Sequence, residues 1–218
     1  MLTTPEIVID PPKTTLSQHG ISLPETLQQH VRQVLIPETV LKRRVTELAR
    51  LLADYYQPEA ELVITPVLTG AFMFAADLGR TLATESSLNV HYALTKASTY
   101  GSSMVGGKPE ERHVNIDLQP QDVAGRSMLL VDDILDHGFT LAALRDRLAA
   151  WGVESVLVCV LLDKQISNIE PQILAQRTKA APDLVGFQIP DVWVAGYGLD
   201  MAGSLRHLPC IVSVSDSS

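Results

Sequence analysis

Residues 129–144 read LLVDDILDHGFTLAAL, and this stretch decides the fold. Its aliphatic beginning predicts a buried strand over 127–131, and its end opens a segment, 140–152, with the apolar spacing of a helix. A second aliphatic strand is predicted over 155–162. Two buried strands that flank one helix form a βαβ unit, which places them parallel in one sheet. The sequence therefore predicts an α/β fold with a mainly parallel central sheet flanked by helices.

The segments before this unit continue the same alternation. Apolar residues recur at helical spacing over 37–56, and 62–68 is a continuous aliphatic run typical of a buried strand. A further helix is predicted over 69–83 and a further strand over 89–95. The last part of the chain reads as short strands and turns. Residues 1 to about 30 give weak signals, and we expect an arm or short hairpin packed on the domain.

Composition limits the possible partners and location. The chain has 218 residues and a net charge of −8, which argues against nucleic acid as a main partner because binding to a phosphate backbone needs a basic face. Cys159 and Cys210 each lie in an aliphatic run, which is typical of reduced core thiols. The acidic, proline-containing start does not resemble a signal peptide, and no apolar run approaches membrane-span length. We therefore expect a cytoplasmic protein with no membrane partner.

Residues 96–115, KASTYGSSMVGGKPEERHVN, form a polar segment rich in Gly and Ser. Segments of this length without regular structure are uncommon inside compact domains and are often lids or binding loops. Composition alone is equally compatible with a disordered insertion.

The opening stretch combines two kinds of binding group. Asp132, Asp133 and Asp136 follow the predicted strand, at the edge of the sheet where open α/β proteins bind ligands. Gly138 allows close backbone approach to an anion, and Thr140 adds a hydroxyl near the N-terminus of the next helix. Acids suit hydroxyls or a cation, and the turn suits a phosphate. The combination predicts a sugar phosphate, with Mg²⁺ if a diphosphate is present.

Two other interpretations of this stretch compete with the sugar-phosphate site. In the first, Asp136 and Thr140 merely cap the helix, and Asp132 and Asp133 face water. Three acids together with a Gly and a Thr between a strand and a helix argue against this interpretation. An acidic pair after a strand also occurs in phospho-receiver domains, which are signalling modules. There the pair lies near the start of the domain, whereas here most of the chain precedes it, and the turn at 137–140 has no counterpart in a receiver.

Residues 129–141, LLVDDILDHGFTL, resemble the phosphoribosyl-pyrophosphate (PRPP) motif of the type I phosphoribosyltransferases: strand, two acids, two aliphatics, Asp, a small turn and Thr. Other segments resemble the hypoxanthine-guanine branch of that family and occur in its order over roughly residues 36–214: VLTGAFMFAADLGR, STYG, LLDK and PDLVGFQIPDVWVAGYGLDMAGSLRHLP. The resemblance implies a purine salvage enzyme that converts hypoxanthine or guanine and PRPP to the nucleoside monophosphate and pyrophosphate with Mg²⁺. It also implies a homodimer or homotetramer.

The resemblance further implies roles for individual residues. Asp136 would lie beside N7 of the purine as the proton acceptor and would be the catalytic residue. The PRPP-binding set would comprise Asp132, Asp133, His137, Gly138, Phe139, Thr140 and the loop of Leu68, Thr69 and Gly70, which has a cis peptide after Leu68 in the family. Thr99 and Tyr100 would belong to a lid. The purine would contact Lys164, Leu184 and Val185, pyrophosphate would contact Arg206, and metal would be held by Asp191 with Asp132 and Asp133.

The family pattern divides the chain into three segments. Residues 1–36 would be an N-terminal arm contributing to a small hood subdomain, 37–182 the PRPP-binding core, and 183–218 the C-terminal strands and hood that complete the purine site. Where the family usually has an aromatic residue stacked on the purine, this chain has Leu184, with Trp193 either substituting for it or serving in packing. His137 either contacts phosphate as a cation or faces solvent.

A non-catalytic alternative uses the same fold. A PRPP- or nucleotide-binding regulator would keep the binding motif without turnover. Asp136, Lys164 and Asp191 favour the enzyme, whereas Leu184 and His137 leave the regulator open.

Overall fold

The computed structural model of the protein describes residues 7–9, 14–100 and 113–215, with backbone alone for 97–100 and 113–116. After a 3-10 turn at Leu16–His19, the helices are α1 (Glu25–Gln28), α2 (Glu38–Tyr55), α3 (Phe72–Glu85), α4 (Pro120–Val123), α5 (Phe139–Ala150) and α6 (Pro171–Lys179). The strands are β1 (Val31–Ile36), β2 (Glu61–Leu68), β3 (Asn89–Tyr92), β4 (Thr95–Tyr100), β5 (His113–Ile116), β6 (Ser127–Leu135), β7 (Ser155–Gln165), β8 (Leu184–Pro190), β9 (Val194–Ala195) and β10 (Ile211–Val214).

The large sheet confirms the predicted α/β fold. Its strand order is β5-β4-β2-β6-β7-β8, with β3 also paired to β2. All described pairings in it are parallel except β4 with β5. The predicted strand over 89–95 is divided into β3 and the start of β4, and both pieces pair with β2. The predicted βαβ unit is β6-α5-β7.

Both faces of the large sheet are buried, which explains its continuous aliphatic strands. Alternate residues of β6 point to opposite sides: Leu129 and Val131 pack in the cluster formed with α2 and α3, and Leu130 packs with α5. Cys159 and Cys210 are buried free thiols, as the aliphatic runs around them indicate.

Three features differ from the sequence prediction. Strand β6 does not end at Val131 but pairs with β7 as far as Leu135, because backbone pairing depends on the neighbouring strand and not on side-chain polarity. Helix α6 is absent from the predicted elements. Strand β8, which the sequence analysis places in the C-terminal segment, is the last strand of the large sheet, at the end opposite β5. The three-segment division of the chain otherwise stays a prediction.

A small antiparallel sheet joins the two ends of the chain. Strand β10 pairs with β1 on one side and β9 on the other, and Thr14 forms a bridge to Val34. We call β1, β9 and β10 the hood sheet. Within the described ranges, no helix has the combination of length and apolar character that a membrane span requires.

Candidate active site

The acidic pair Asp132 and Asp133 lies inside the last part of β6, not beyond the strand. Asp132 is buried, and its Oδ1 accepts a hydrogen bond of 3.0 Å from the backbone N–H of Asp133. The Oδ1 atom of Asp133 accepts one of 2.9 Å from the N–H of Ile134. Both carboxylates are therefore oriented by the backbone at the carboxyl edge of the sheet.

Burial makes this pair electrostatically costly. Burial raises the pKa of Asp132 well above its usual range, and the neighbouring Asp133 charge raises it further. Burial also raises the pKa of Asp133, although hydrogen bonds and the positive charge of Arg206 act in the opposite direction. Two adjacent carboxylates in low dielectric favour partners that offset negative charge, such as a divalent cation or sugar hydroxyl donors.

The turn after β6 presents backbone donors to a small cavity. Gly138 has φ 82° and ψ 0° and directly precedes α5, so the N-cap residue of the helix has no side chain. A cavity of about 180 Å³ is lined by the turn residues His137, Gly138, Phe139 and Thr140 together with Asp132 and Asp136. Free N–H groups at a helix N-terminus bind phosphate well. The structure thus brings the predicted phosphate-binding residues together, with the His137 side chain partly exposed.

The loop after β2 meets the acidic pair from the other side. The Leu68–Thr69 peptide is cis, as the resemblance implied. A Cβ atom at Gly70 would lie 1.7 Å from Oδ2 of Asp133, so only glycine permits this contact. A Cβ atom at Gly198 would in turn lie 2.1 Å from the Gly70 carbonyl oxygen. The predicted loop therefore packs directly on Asp133 at Gly70.

Arg206 completes this side of the site. Its Nη1 donates a hydrogen bond of 2.6 Å to the Gly198 carbonyl, and its Nη2 lies 2.6 Å from Oδ1 of Asp200. Because Gly198 contacts Gly70, the guanidinium lies close to the loop where the resemblance places pyrophosphate. The structure thus brings Arg206 near that loop and adds Asp200, which sequence reasoning missed.

The predicted position of Asp191 on the pyrophosphate side is wrong. Its Oδ1 atom lies 3.0 Å from Nζ of Lys164, and the residue lines a different cavity, next to Trp193. Asp200 is the carboxylate that lies beside Arg206. Both acids belong to one quoted segment, and only the path of the chain between β8 and the hood sheet determines which acid reaches which side.

Lys164 connects the acidic edge with the second cavity. Its side chain is nearly buried, and its Nζ lies 3.9 Å from Oδ1 of Asp136 and 3.0 Å from Oδ1 of Asp191. The same ammonium lies 5.3 Å from the ring centroid of Trp193. Trp193 is 63% exposed, so it is not a packing residue. Together with residues of the hood sheet such as Ser213, the side chains of Lys164, Asp191 and Trp193 line a cavity of about 560 Å³.

The predicted purine contacts at Leu184 and Val185 are wrong. Leu184 is 0% exposed and pairs with Cys159 at the start of β8. The Val185 carbonyl accepts a hydrogen bond of 2.8 Å from Nη2 of Arg44 in α2. A strand rises about 3.3 Å per residue, so Leu184 lies roughly 20 Å from the other end of β8. The exposed aromatic face beside Lys164 belongs to Trp193 instead.

The predicted lid coincides in part with a hairpin. The backbone of Thr99 and Tyr100 lies in β4, opposite Val114 and His113 of β5. The segment 96–115 is therefore regular at both ends. The side chains of Thr99 and Tyr100 lie outside the described residues, as does the stretch 101–112, so the lid assignment stays a prediction.

Comparison with known proteins identifies relatives of this chain. The sequence profile of the phosphoribosyl transferase domain family matches residues 38–201. The chain is 35% identical over 188 residues to the hypoxanthine phosphoribosyltransferase of Escherichia coli strain K12, covering 85% of this chain and 97% of the relative. It is 34% identical over 185 residues to the hypoxanthine-guanine phosphoribosyltransferase of Bacillus subtilis strain 168, covering 85% and 94%.

Solved structures agree with the sequence matches. A hypoxanthine-guanine phosphoribosyltransferase of Bacillus anthracis has a TM-score of 0.70 and 32% identity, covering 85% of this chain and 99% of that one. A lysine-to-arginine variant of the Trypanosoma cruzi hypoxanthine phosphoribosyltransferase, in a ternary substrates complex, has a TM-score of 0.72 and 30% identity, covering 85% and 96%.

Proposed function

This chain belongs to the phosphoribosyltransferase family, in the branch of the hypoxanthine and hypoxanthine-guanine enzymes, and from this premise we propose that it transfers a phosphoribosyl group from PRPP to hypoxanthine or guanine. The products are IMP or GMP and pyrophosphate, and the protein is a purine salvage enzyme. The observation that carries the proposal is the meeting of Asp136 and Lys164, 3.9 Å apart, beside the buried acidic pair and the phosphate-type turn.

The positions of the ligand groups follow from the residue chemistry. The turn at Gly138 binds the 5′-phosphate through backbone N–H groups. Asp132 and Asp133, which precede the turn on β6, bind the ribose hydroxyls. Pyrophosphate lies towards Gly70 and Arg206, where a guanidinium and a glycine loop offer donors to an anion. This order along the site matches the order of groups in PRPP.

Asp136 and Lys164 act on neighbouring atoms of the base. Lys164 donates to O6 of a 6-oxopurine, and Asp136 holds or releases the proton at N7 during transfer. Adenine carries an amino group where the other purines carry O6, and that group does not accept the hydrogen bond. An unpaired buried donor costs about 1–3 kcal/mol, which disfavours adenine. Trp193 supplies the face on which the base stacks.

The carboxylates of the site suit Mg²⁺, which prefers oxygen ligands. The described residues contain no ready-made cluster of three His, Cys, Asp or Glu side chains, and Mg²⁺ is commonly held by one or two carboxylates together with substrate phosphates and water. Asp132 and Asp133 would hold one ion, and Asp200 is the better candidate than Asp191 for a second on the pyrophosphate side. When bound, the ion would supply positive charge that stabilises the departing pyrophosphate.

Turnover with a set of bases tests the proposed function. We expect nucleotide formation from PRPP and Mg²⁺ with hypoxanthine or guanine, and little with adenine. Xanthine in the same assay defines the specificity at the 2-position. Pyrophosphate release should require a purine. Binding of PRPP without turnover on any of the four bases would instead support the non-catalytic regulator.

Replacing Trp193 with Ala should raise KM for the base by roughly 5- to 150-fold, because base–aromatic stacking contributes about 1–3 kcal/mol. Leu184→Ala is the matched comparison. It should leave KM unchanged and lower the free energy of unfolding by about 2–5 kcal/mol, because Leu184 is a buried core residue. Steady-state kinetics and thermal unfolding of both variants separate the two roles. A rise in KM with Leu184→Ala and none with Trp193→Ala would return the purine contact to Leu184.

Location and assembly are also part of the proposal. We place the enzyme in the cytoplasm, where buried free thiols such as Cys159 and Cys210 stay reduced. We further propose a homodimer or homotetramer. Support is indirect, since the C-terminal region of the Trypanosoma cruzi relative has been studied for its role in oligomeric state and enzymatic activity.

A further inference from the structure

Helix α6 packs against the back of the phosphate-binding turn. A Cβ atom at Gly138 would lie 3.1 Å from both the backbone N and the Cα of Arg177, and 3.2 Å from Cβ of Ala180. The turn and α6 are thus closely packed, and a side chain at position 138 would crowd α6 as well as strain the positive φ. A helix in this position limits how far the turn can move.

The side chain of Arg177 reaches from α6 to the end of β6. Its Nη1 donates a hydrogen bond of 3.0 Å to the carbonyl of Leu135 and a second one to the carbonyl of Asp136. Its Nη2 donates to Oδ1 of Asp163, the residue paired with Leu135 near the end of β7. Both side chains of this ion pair are largely buried, at 14% and 15% exposure.

These contacts fix the backbone of Asp136. Two consecutive carbonyls held by one nitrogen define the orientation of the peptide units on both sides of Asp136, Leu135–Asp136 and Asp136–His137. Asp163 in turn fixes the guanidinium. A lysine would supply the charge but not the planar set of donors. The Asp136 side chain extends towards Lys164, with Oδ1 and Nζ 3.9 Å apart.

We propose that Arg177 is a positioning residue for the transfer reaction: by holding the Leu135 and Asp136 carbonyls it sets the place of Asp136 and of the turn that follows. This inference rests on the proposed function. Docking of α6 has other support, since Lys179 pairs with Asp146 of α5 at 2.9 Å. Losing Arg177 also leaves the largely buried carboxylate of Asp163 without this partner and lowers stability, so the catalytic effect is measured as kcat per folded molecule.

Steady-state kinetics with hypoxanthine and PRPP test the proposal. Arg177→Met should lower kcat by roughly 10- to 100-fold, because small misplacement of a reacting group costs up to about two orders of magnitude. KM for hypoxanthine should change less than about threefold, since Lys164 and Trp193 are untouched. Arg177→Lys should recover part of the lost kcat, and methylguanidine should stimulate Arg177→Ala. Lys179→Met, on the same helix, should stay within about twofold of the original enzyme.

The outcomes separate the two proposals. No turnover by the unaltered protein would overturn both. If the unaltered protein is active and folded Arg177→Met has the same kcat, only the proposed role of Arg177 is overturned. If Arg177 had only a structural role, its replacement would lower the melting temperature but leave kcat per folded molecule unchanged. Methylguanidine would then not stimulate Arg177→Ala. If Arg177→Met does not fold, Arg177→Lys decides, and full kcat in that variant would overturn the inference.

Discussion

Asp136→Asn should lower kcat with hypoxanthine by roughly 10²-fold or more, while KM for PRPP changes little. Asparagine has nearly the same shape and keeps an oxygen acceptor, but it cannot take or give the N7 proton at neutral pH. The side chain lies beside Lys164 at the end of β6, where a 6-oxopurine would present O6 and N7 on the same edge. The loss therefore reports proton transfer and not binding.

The control for this substitution is Asp146→Asn. Asp146 is an exposed acid of α5 that pairs with Lys179, so its replacement removes one negative charge without touching the site. We expect kcat within about twofold of the original enzyme. Single-turnover measurement with both variants distinguishes the chemical step from product release. A kcat for Asp136→Asn close to that of the original would remove Asp136 from its acid–base role.

Asp132→Asn should have opposite effects on activity and on stability. We expect kcat/KM for PRPP to fall by roughly 10- to 150-fold, because a hydrogen bond to a charged group contributes about 1.5–3 kcal/mol. The free protein should nevertheless melt at a higher temperature than the original at about pH 8, since the variant no longer carries the buried carboxylate of Asp132 next to the partly buried one of Asp133.

The sign of the stability change follows from the raised pKa of Asp132. Its folded-state pKa lies above its unfolded value, because of burial first and then the Asp133 charge. The folded protein therefore holds this proton more tightly than the unfolded chain does. Its contribution to stability is fully present below the unfolded pKa and is lost as pH rises through the folded pKa. The gain in melting temperature for Asp132→Asn should accordingly be larger at about pH 8 than at about pH 5.

Thermal unfolding with and without ligand tests this prediction. Adding Mg²⁺ and PRPP should raise the melting temperature of the original protein more than that of the variant, because the ligand offsets the charge that the variant lacks. Asp54→Asn, at an exposed acid of α2, serves as the control and should shift neither value. A lower melting temperature for free Asp132→Asn at alkaline pH would mean that the acidic pair stabilises the free protein.

The sequence by itself determined the fold and the phosphate side of the site. Continuous aliphatic runs separated by helical spacing leave a parallel sheet as the arrangement that buries them. The groups at 132–140 are neighbours in sequence, so a local turn at the end of β6 is sufficient to bring them together. This is why the cavity around Gly138 contains the residues that the motif indicated.

The tertiary structure alone decided which residues form the purine side of the site. Its residues come from β7, from the segment after β8 and from the hood sheet, and their meeting depends on the path of the chain and not on local spacing. Leu184 and Trp193 both belong to the same apolar segment, but β8 carries the first into the core and leaves the second exposed beside Lys164. Arg177 lies 41 residues from Asp136 in sequence, and only the packing of α6 behind the turn brings its guanidinium to the Asp136 carbonyl.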